Sequence, residues 1–373
     1  MELPTSLSRH FGDLPDPRID RCKHHKLIDI ISIAICAVLS SADGWTDIEA
    51  YGHAKHALLE QFLELPAGIP SHDTFARVFA RLNPTAFQSA FLAWVDTIRA
   101  KLPGDVIAID GKTERRTHDR AIDLSPLHIV SAFSAANHLV LGQVRVNSKS
   151  NEITAIPLLL SLLDINDCIV TIDAMGCQVA IAEQIVAQGG DYVLACKDNQ
   201  PQLARDIARI FAEPIEEEHL DRCIITMEGH GRSERREYRS CDQVESIVDR
   251  ARWSQLRSVV RVHSTRTCDG VTSEETRSYI SSLPLGAERV ADAIRQHWGI
   301  ENRLHWVLDV VFAADDSRAR IGHSAHNLAI IRHLVLNLLR EETTLKASVR
   351  QKRLRATWDD AYAMKVLQVE PRL

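Results

Sequence analysis

Two short apolar segments that each end in an aspartate constrain the fold of this chain more than any other feature. VIAIDGK (106–112) has four apolar residues before Asp110, and CIVTID (168–173) has a similar run before Asp173. Such runs, rich in β-branched residues, predict buried strands, and Gly111 predicts a turn after the first. One such aspartate commonly starts a turn. Two parallel strands that end alike instead predict a pair of acids at one sheet edge, which repel each other unless a cation lies between them.

Length and composition predict a soluble, multi-module protein. The 373 residues are enough for two or three modules, and the apolar (45%) and charged (25%) fractions are ordinary. The net charge of −6 argues against a uniformly basic DNA-coating protein but leaves local basic patches open. The eight cysteines contain no CxxC pair, which indicates a reducing compartment, and we therefore expect a cytoplasmic protein. The most apolar segment, 27–39, is too short to span a bilayer, so it predicts a buried helix and no membrane association.

Residues 1–95 predict a helical N-terminal domain. Apolar residues recur at helical spacing in TDIEAYGHAKHALLEQFL (46–63) and in SHDTFARVFARL (71–82), where Ser71 is the expected N-cap. Two helices joined by a Gly/Pro turn are typical of a DNA-reading helix-turn-helix and equally of any helical bundle. Both interpretations stay open on the sequence.

Residues 96–204 change to a strand pattern. LHIVSAFS (127–134) and HLVLGQVRV (138–146) predict a meander with the Asp110 strand, followed by a helix at 153–163, the Asp173 strand, a helix at 178–187 and a strand at 191–196. This order, with acids ending the first and fourth strands, is that of ribonuclease-H-like nucleases. We therefore predict an α/β (α+β) protein with a ribonuclease-H-like catalytic core.

Residues 205–283 interrupt this alternation and predict a β-rich insertion. An acidic helix is expected at 213–218, followed by three extended runs. Between the runs lies a basic cluster that includes Arg232, Arg235 and Arg236 and is interleaved with Glu234 and Glu237. A solvated face of mixed charge is the simpler interpretation, and phosphate contact is the alternative.

Residues 284–345 predict the C-terminal helices of the core, and 346–373 a basic helical tail. In the helix expected at 288–312, Glu301 lies on one face with apolar residues such as Leu304 and Leu308. A lone carboxylate there needs a partner or a cation. A salt bridge to Arg295 or Arg303 is the alternative, but the two strand acids favour a three-carboxylate metal site.

Six ordered motifs resemble insertion-sequence DDE transposases of the H-repeat-associated, RHS-linked branch, and the likeness covers nearly the whole chain. The motifs are IDGK (109–112), LHIVSAFS, KSNEI (149–153), VTIDAMGCQ (170–178), GGDYVLACKDNQ (189–200) and HWGIENRLHWVLDV (297–310). The resemblance implies a catalytic triad of Asp110, Asp173 and Glu301. It also implies an N-terminal DNA-binding region and a β-strand insertion between the second and third acids.

The function implied by this resemblance is metal-dependent hydrolysis of phosphodiester bonds at element ends, followed by 3′-hydroxyl strand transfer into target DNA. The expected partners are double-stranded DNA, as terminal inverted repeats and target, and a second copy of the chain in a synaptic homodimer. The protein would then be associated with the cytoplasmic nucleoid. A catalytically decayed, DNA-binding relic of such a transposase is the open alternative.

One departure from the wider clan limits this resemblance. The clan has a Tyr, an Arg and the catalytic Glu at Y-x-x-R-x-x-x-E and a Lys seven residues later. This chain has Ile294, His297, Glu301 and Leu308 at those places. The phosphate-clamping roles of that Tyr, Arg and Lys are therefore not transferred.

The carboxylate chemistry predicts two Mg²⁺ or Mn²⁺ ions, because hard oxygen ligands suit these ions and not zinc. We expect Asp110 to bridge both ions, with Asp173 and Glu301 each holding one. Glu301 is preferred to Asp309, Asp315 and Asp316, since helical rotation turns Asp309 away and the other two are expected to terminate the helix in solvent. An aspartyl-phosphate phosphatase would instead need an acid two residues after Asp110. That place holds Lys112.

Several neighbours of the triad are candidate DNA contacts. The residues just beyond strand ends are expected to hold phosphates or simply to be solvated, and those beside Glu301 to contact a distorted DNA end or to pack in the core. They are Lys112, Lys197 and Asn199 in the first group, and His297 and Trp298 in the second.

Overall fold

A nine-stranded mixed sheet organises the described part of the chain, which comprises residues 5–118, 125–146, 151–229 and 231–367 of this computed structural model. Two residues of the KSNEI motif, Lys149 and Ser150, lie outside the described residues, as do residues 368–373 of the expected tail. Within the described part, no helix has both the length and the apolar character needed to cross a membrane.

The N-terminal region is helical, as expected. The buried helix over 27–39 is confirmed, and Ser71 caps its helix by accepting the N–H of Thr74 at 3.4 Å. The next helix starts with Asn83 as N-cap and Pro84 at its first position, a favourable combination for helix initiation. The helices are α1 (Thr5–Phe11), α2 (Leu27–Leu39), α3 (Trp45–Ala54), α4 (His56–Leu59), α5 (His72–Arg81) and α6 (Pro84–Ile98).

The ribonuclease-H-like core is confirmed by its strand order, β3-β2-β1-β4-β5. The first three strands form an antiparallel meander, and β4 and β5 add to it in parallel. The strands are β1 (Val106–Glu114), β2 (Leu127–Ser134), β3 (Val140–Arg145), β4 (Ile169–Ile172) and β5 (Asp191–Cys196), and the helices packed on them are α7 (Glu152–Leu160) and α8 (Val179–Ala187).

Strand β1 does not end at Asp110, contrary to the sequence prediction. It continues to Glu114, because β2 still pairs with it from Asp110 to its last residue. What ends at this point is the parallel pairing with β4, whose last pair is Ile109 and Ile172. Gly111 is therefore a strand residue and not a turn.

The β-rich insertion extends the same sheet. It is a meander of β6 (Leu220–Gly229), β7 (Arg232–Cys241), β8 (Ser258–Cys268) and β9 (Val271–Ser281), and β9 pairs with β5. The acidic helix predicted at 213–218 is wrong, since only the 3-10 turn Glu217–His219 forms there. A helix that the sequence analysis missed precedes it, α9 (Pro201–Ile210), with Leu203, Ile207 and Ile210 on its buried face.

The C-terminal helices differ from the prediction in two ways. The continuous helix expected over 288–312 is divided, and the expected tail is two packed helices. Arg353, in the first of these two helices, is 4% exposed, and its Nε donates to the carbonyl oxygen of Val38 at 2.9 Å. The elements are α10 (Ala287–His297), a π-helical turn (Glu301–His305), α11 (Trp306–Val310), α12 (Ser324–Glu341), α13 (Val349–Trp358) and α14 (Asp360–Leu367).

The N- and C-terminal helices share one hydrophobic core. Helices α2, α5 and α6 all pack against α12, and α13 and α14 pack against both α12 and α2. The boundaries expected at residues 95 and 204 fall inside α6 and α9, because each helix continues through them. A helical N-terminal region therefore exists, but it is packed tightly against the rest of the chain.

Candidate active site

Strands β1 and β4 bring Asp110 and Asp173 to the same sheet edge. Each aspartate follows directly on the last parallel pair, so both carboxylates leave the sheet where its pairing opens. Asp110 Oδ1 accepts the N–H of Gly111 at 2.8 Å. Asp173 Oδ1 accepts the N–H of Met175 at 3.1 Å and caps the 3-10 turn Ala174–Gly176. These backbone bonds fix the direction of both side chains.

Glu301 reaches this edge from the helical side. It is the first residue of the π-helical turn after α10, and such turns are frequent at functional sites. The side chain is exposed at the mouth of a cavity and is not buried in an apolar stripe. The prediction that Glu301 is buried on an apolar helix face is therefore wrong, because the π-helical turn changes the helical register. What links Glu301 to the other acids is the cavity they share.

This active-site cavity has a volume of about 210 Å³ and lies between the sheet and α10. Its walls combine the three acids with residues of β4, β5, β9 and α10. The polar and aromatic members are Asp110, Thr171, Asp173, Cys196, Lys197, Arg277, Ser278, Tyr279, His297, Trp298 and Glu301. Asp309, Asp315 and Asp316 are not among the described residues that line it.

The acids of the cavity are poorly neutralised. The pKa of Asp110 is raised to about 7, chiefly by burial and also by the charges of Asp173, Glu152 and Glu301, which together outweigh the lowering effect of the hydrogen bond from Gly111. Burial also raises the pKa of Asp173. Among the described residues, the basic group within ion-pair distance of these acids is His305, whose Nδ1 is 3.5 Å from Asp110 Oδ2. Burial lowers the pKa of His305 to about 4, so this ring supplies no positive charge at neutral pH.

The donor set fits hard divalent cations. It consists of carboxylate oxygens that make no Lys or Arg salt bridge among the described residues, and such hard oxygen ligands suit Mg²⁺ and Mn²⁺. The triad is spaced too widely to form a group whose three ligand atoms lie within 4.8 Å of one another. Among the described residues only the exposed Glu216, Glu218 and His219 form such a group.

A second groove adjoins the active-site cavity on the insertion. It crosses one face of β7, β8 and β9, and it shares Arg277, Tyr279, Ile294 and Trp298 with the cavity. Its charged lining residues are Arg232, Glu234, Arg236, Arg266, Glu275 and Arg277. The two depressions are therefore continuous, and we call the second one the insertion groove.

Family comparisons agree with this geometry. Residues 101–338 match the family model described as Transposase DDE domain, and residues 8–95 match the one described as DDE_Tnp_1-associated. The chain belongs to the DDE transposase family. It is 42% identical to "H repeat-associated putative transposase YhhI" of Escherichia coli (strain K12), over 98% of both chains, and 41% identical to "Putative protein YbfL" of the same organism, again over 98% of both.

Among solved structures, a cryo-EM structure of a piggyBac transposase synaptic complex with hairpin DNA is similar at a TM-score of 0.44 and 10% identity. The similarity covers 98% of this chain and 78% of that chain. Together the sequence comparisons assign the chain to the H repeat-associated branch of DDE transposases.

The structure shows where the three residues lie that replace the Tyr, Arg and Lys of the wider clan. Ile294 and Leu308 are 4% and 5% exposed, so they pack in the interior. His297 Nδ1 lies 3.0 Å from the Thr171 hydroxyl, and burial lowers the pKa of His297 to about 4. The cations of the cavity come from elsewhere, namely from Lys197 after β5 and from Arg277 on β9.

Of the other residues proposed from the sequence as DNA contacts, some line the cavity and others are bonded within the protein. Lys197 lines the cavity, whereas Lys112 is 12% exposed and bonded to Asp309 at 2.5 Å, with Asp315 3.6 Å away. Asp315 is thus an ion-pair partner and not a solvated helix end. Asn199 donates to the carbonyl oxygen of Ala174 at 2.5 Å and so supports the turn that holds Asp173.

The basic cluster of the insertion is divided by strand geometry. It lies on β7, where successive side chains point to opposite faces. Arg232 and Arg236 face the insertion groove and flank Glu234, with nitrogen–oxygen distances of 2.7 and 2.6 Å. Arg235 faces the other way and lies 3.3 Å from Glu237.

Trp298 lies where the cavity meets the groove. The Arg277 guanidinium is stacked 4.7 Å from its ring centroid, and the ring of His297 is nearly perpendicular to it. Sequence analysis missed Arg277, which lies in the last of the three extended runs predicted for the insertion. Only the pairing of β9 with β5 brings it to the site, and no local pattern carries that information.

Proposed function

We propose that this protein is the transposase of an insertion sequence, which cuts phosphodiester bonds at the element ends and joins the resulting 3′-hydroxyls to target DNA. The observation that carries the proposal is the meeting of Asp110, Asp173 and Glu301 in one cavity without a Lys or Arg salt bridge among the described residues. Three acids so placed repel one another unless cations join them.

Asp110, Asp173 and Glu301 would hold two Mg²⁺ or Mn²⁺ ions. Two such ions, when bound, activate an attacking water or 3′-hydroxyl and stabilise the leaving oxyanion. The backbone bonds to Asp110 and Asp173 keep both carboxylates aimed at the cavity. The raised pKa of Asp110 requires that its proton be released before it becomes a ligand.

The insertion groove would carry the DNA away from the acids. Lys197 and Arg277 line the cavity next to Asp173 and would contact phosphates close to the cleavage point. Arg232, Arg236 and Arg266 continue the basic lining outward. Trp298, at the junction, offers an aromatic face on which an unpaired base of a distorted end would stack.

The N-terminal helices would recognise the terminal inverted repeats. Helix α5 buries Phe75, Val78 and Phe79 and leaves Arg77 and Arg81 exposed on its other side. An exposed basic helix face of this kind suits the major groove. Synapsis of two element ends would take two copies of the chain, and the site of action would be the nucleoid.

The decisive experiment is a nicking assay. The purified full-length chain is incubated with a labelled duplex that carries a candidate element end, with Mg²⁺, with Mn²⁺ or with EDTA. We expect one defined nick that requires a divalent ion. Asp173→Asn and Glu301→Gln should lower the nicking rate at least about 1000-fold and change DNA affinity less than about 3-fold.

Glu288→Gln is the matched control, because Glu288 is an exposed acid at the other end of α10. It should nick at the wild-type rate. Wild-type DNA binding without a nick under any metal condition would instead identify the chain as a decayed, DNA-binding relic. Undiminished nicking by either triad variant would remove that residue from the site.

A further inference from the structure

A fourth carboxylate lies near the two strand acids, on the first residue of α7. Glu152 is only 15% exposed at its side chain, although a helix start would readily let it extend into solvent. Its Oε1 is 2.7 Å from Nε2 of His128, and Nδ1 of the same ring is 2.7 Å from the Thr113 hydroxyl. A neutral ring satisfies both contacts if Nε2–H donates to Glu152 and Nδ1 accepts from Thr113. This arrangement fixes Oε1 and leaves Oε2 without a hydrogen bond among the described residues.

Gly111 makes room for this carboxylate. A Cβ at residue 111 would be 2.1 Å from Glu152 Oε1 and 3.0 Å from His128 Nε2, so any side chain there would displace the pair. The backbone of Gly111 is ordinary strand and does not itself require glycine. The absence of a side chain therefore serves the close approach of Glu152 to β1, at the residue next to Asp110.

Glu152 also lies close to Asp173. Helix α7 packs against the 3-10 turn Ala174–Gly176 that Asp173 caps. After burial, which is the largest cause, the charge of Glu152 is the leading charge that raises the pKa of Asp173, and it also raises that of Asp110. The carboxylate is thus within electrostatic reach of both strand acids. It lies on the face of β1 that carries Gly111, opposite the Asp110 side chain, and outside the lining of the active-site cavity, so it would reach a shared cation past the point where the pairing of β1 with β4 ends.

We propose that Glu152 is a fourth carboxylate ligand of the divalent-metal site, held in place by His128 and Thr113. The inference rests on the proposed metal-dependent function. Its chemical reason is charge: two divalent ions carry four positive charges, and the triad offsets only three of them before the DNA phosphate arrives. Glu152 completes that balance with another hard oxygen, through Oε2. The glutamate of the KSNEI motif and the glycine of IDGK would then both serve metal binding, the first as a ligand and the second by leaving room for it.

Binding of Mn²⁺ to the DNA-free protein tests this directly, by calorimetric titration of wild type and variants. We expect Glu152→Gln to weaken Mn²⁺ binding about 10-fold or more. Gly111→Ala should do the same by displacing the carboxylate. His128→Gln keeps the acid and should weaken binding clearly less than Glu152→Gln. Glu183→Gln, which changes an exposed acid of α8, should have no effect.

The outcomes separate this proposal from the proposed function. If Asp173→Asn abolishes Mn²⁺ binding while Glu152→Gln leaves it unchanged, Glu152 is no ligand and the triad stands. Equal losses in Glu152→Gln and His128→Gln would reduce Glu152 to a positioning residue and overturn the proposal. Binding that survives Asp173→Asn would remove the metal function itself.

A wild-type measurement guards against misfolded variants. With Fe²⁺ in place of Mn²⁺, hydroxyl radicals should cut the backbone near residues 110, 173 and 301 and also around residue 152. Cutting at the first three places without any around 152 would contradict the ligand role.

Discussion

The active-site cavity and the insertion groove are continuous, yet the acids of the two regions differ in whether an arginine or lysine neutralises them. Glu234 in the groove lies between Arg232 and Arg236; burial tends to raise its pKa, but the two arginines outweigh burial and lower it. Asp110 in the cavity has no such partner, and its pKa rises to about 7. The buried glutamate of the groove is therefore neutralised by arginines of the protein, whereas the acids of the cavity have no Lys or Arg salt bridge among the described residues.

Strand β1 alone shows the same contrast in ion pairing, although burial raises the pKa of Glu114 as it does that of Asp110. Glu114 points to the same face as Asp110, four residues further on, and its Oε1 is 3.2 Å from the buried Arg332. Glu114, a structural acid, is thus paired with an arginine, whereas Asp110, a proposed metal ligand, is not. This difference can be tested by replacing a carboxylate with its isosteric amide in each region.

The largest effect is expected for Asp110→Asn in metal-free protein. Because the folded-state pKa of Asp110, about 7, exceeds the unfolded value of 3.8, its stabilising contribution is complete below pH 4 and is lost as the pH rises through 7. The amide cannot ionise. It should raise the free energy of unfolding by about 4 kcal/mol at pH 8 and by almost nothing at pH 4, as measured by urea denaturation in EDTA.

Added Mg²⁺ should reverse this order. It should raise the melting temperature of the wild type at pH 8, because a bound cation favours the ionised acids, and it should not raise that of Asp110→Asn. A variant less stable than the wild type in EDTA at pH 8 would show that Asp110 is structurally neutralised after all.

The same amide replacement in the groove should have the opposite sign. Glu234→Gln removes the charge from two hydrogen bonds at a side chain that is 8% exposed, and it leaves two arginines facing each other. We expect a loss of about 2 kcal/mol at pH 7. Since the pKa of Glu234 is lowered in the fold, the loss should shrink as the pH falls below its ordinary value of 4.5.

Urea denaturation at pH 7 and pH 4 measures this, with Glu288→Gln as the exposed control. No loss at pH 7 would mean that the arginines are held by the strands alone. In that case Arg232 and Arg236 could bind a phosphate in place of Glu234. The groove would then no longer differ from the cavity in how its acid is neutralised.

The sequence was sufficient for those parts of the site that local patterns encode. Each strand acid follows a run of apolar residues that are buried in the structure, and the parallel pairing that joins them follows from the order of elements. Helix α9 had a readable signal as well, because Leu203, Ile207 and Ile210 follow a proline at helical spacing. The acidic composition of the next segment obscured it.

The remaining features depend on contacts between distant segments. The sequence shows Glu152 only as a helix start, since its nearness to Gly111 depends on how α7 packs beside β1. The insertion cluster of Arg232, Arg235 and Arg236 reads as one patch until β7 is known to be a strand, which sends Arg235 to the opposite face. Burial of Glu301 was misjudged because no local pattern reveals a π-helical turn.

The smallest effect we expect concerns DNA affinity along the groove. Arg277→Gln removes a cation that stacks on Trp298 and lies at the junction of groove and cavity, but this arginine is already bonded to Glu275 at 2.7 and 3.0 Å. Sharing it with a phosphate therefore gains little. We expect binding to an element-end duplex to weaken about 3- to 10-fold and the slope of log Kd against log salt concentration to fall by about 1.

Arg222→Gln is the matched control for Arg277→Gln, because Arg222 is also strand-borne and also bonded to a glutamate, Glu237, but is absent from the residues that line the groove. Its affinity and salt slope should equal those of the wild type in the same titrations. If both variants lower the slope equally, DNA affinity depends on the net charge of the protein and not on contacts in the groove. If neither does, the groove binds no phosphate at Arg277, and its arginines serve only the internal pairing that distinguishes it from the cavity.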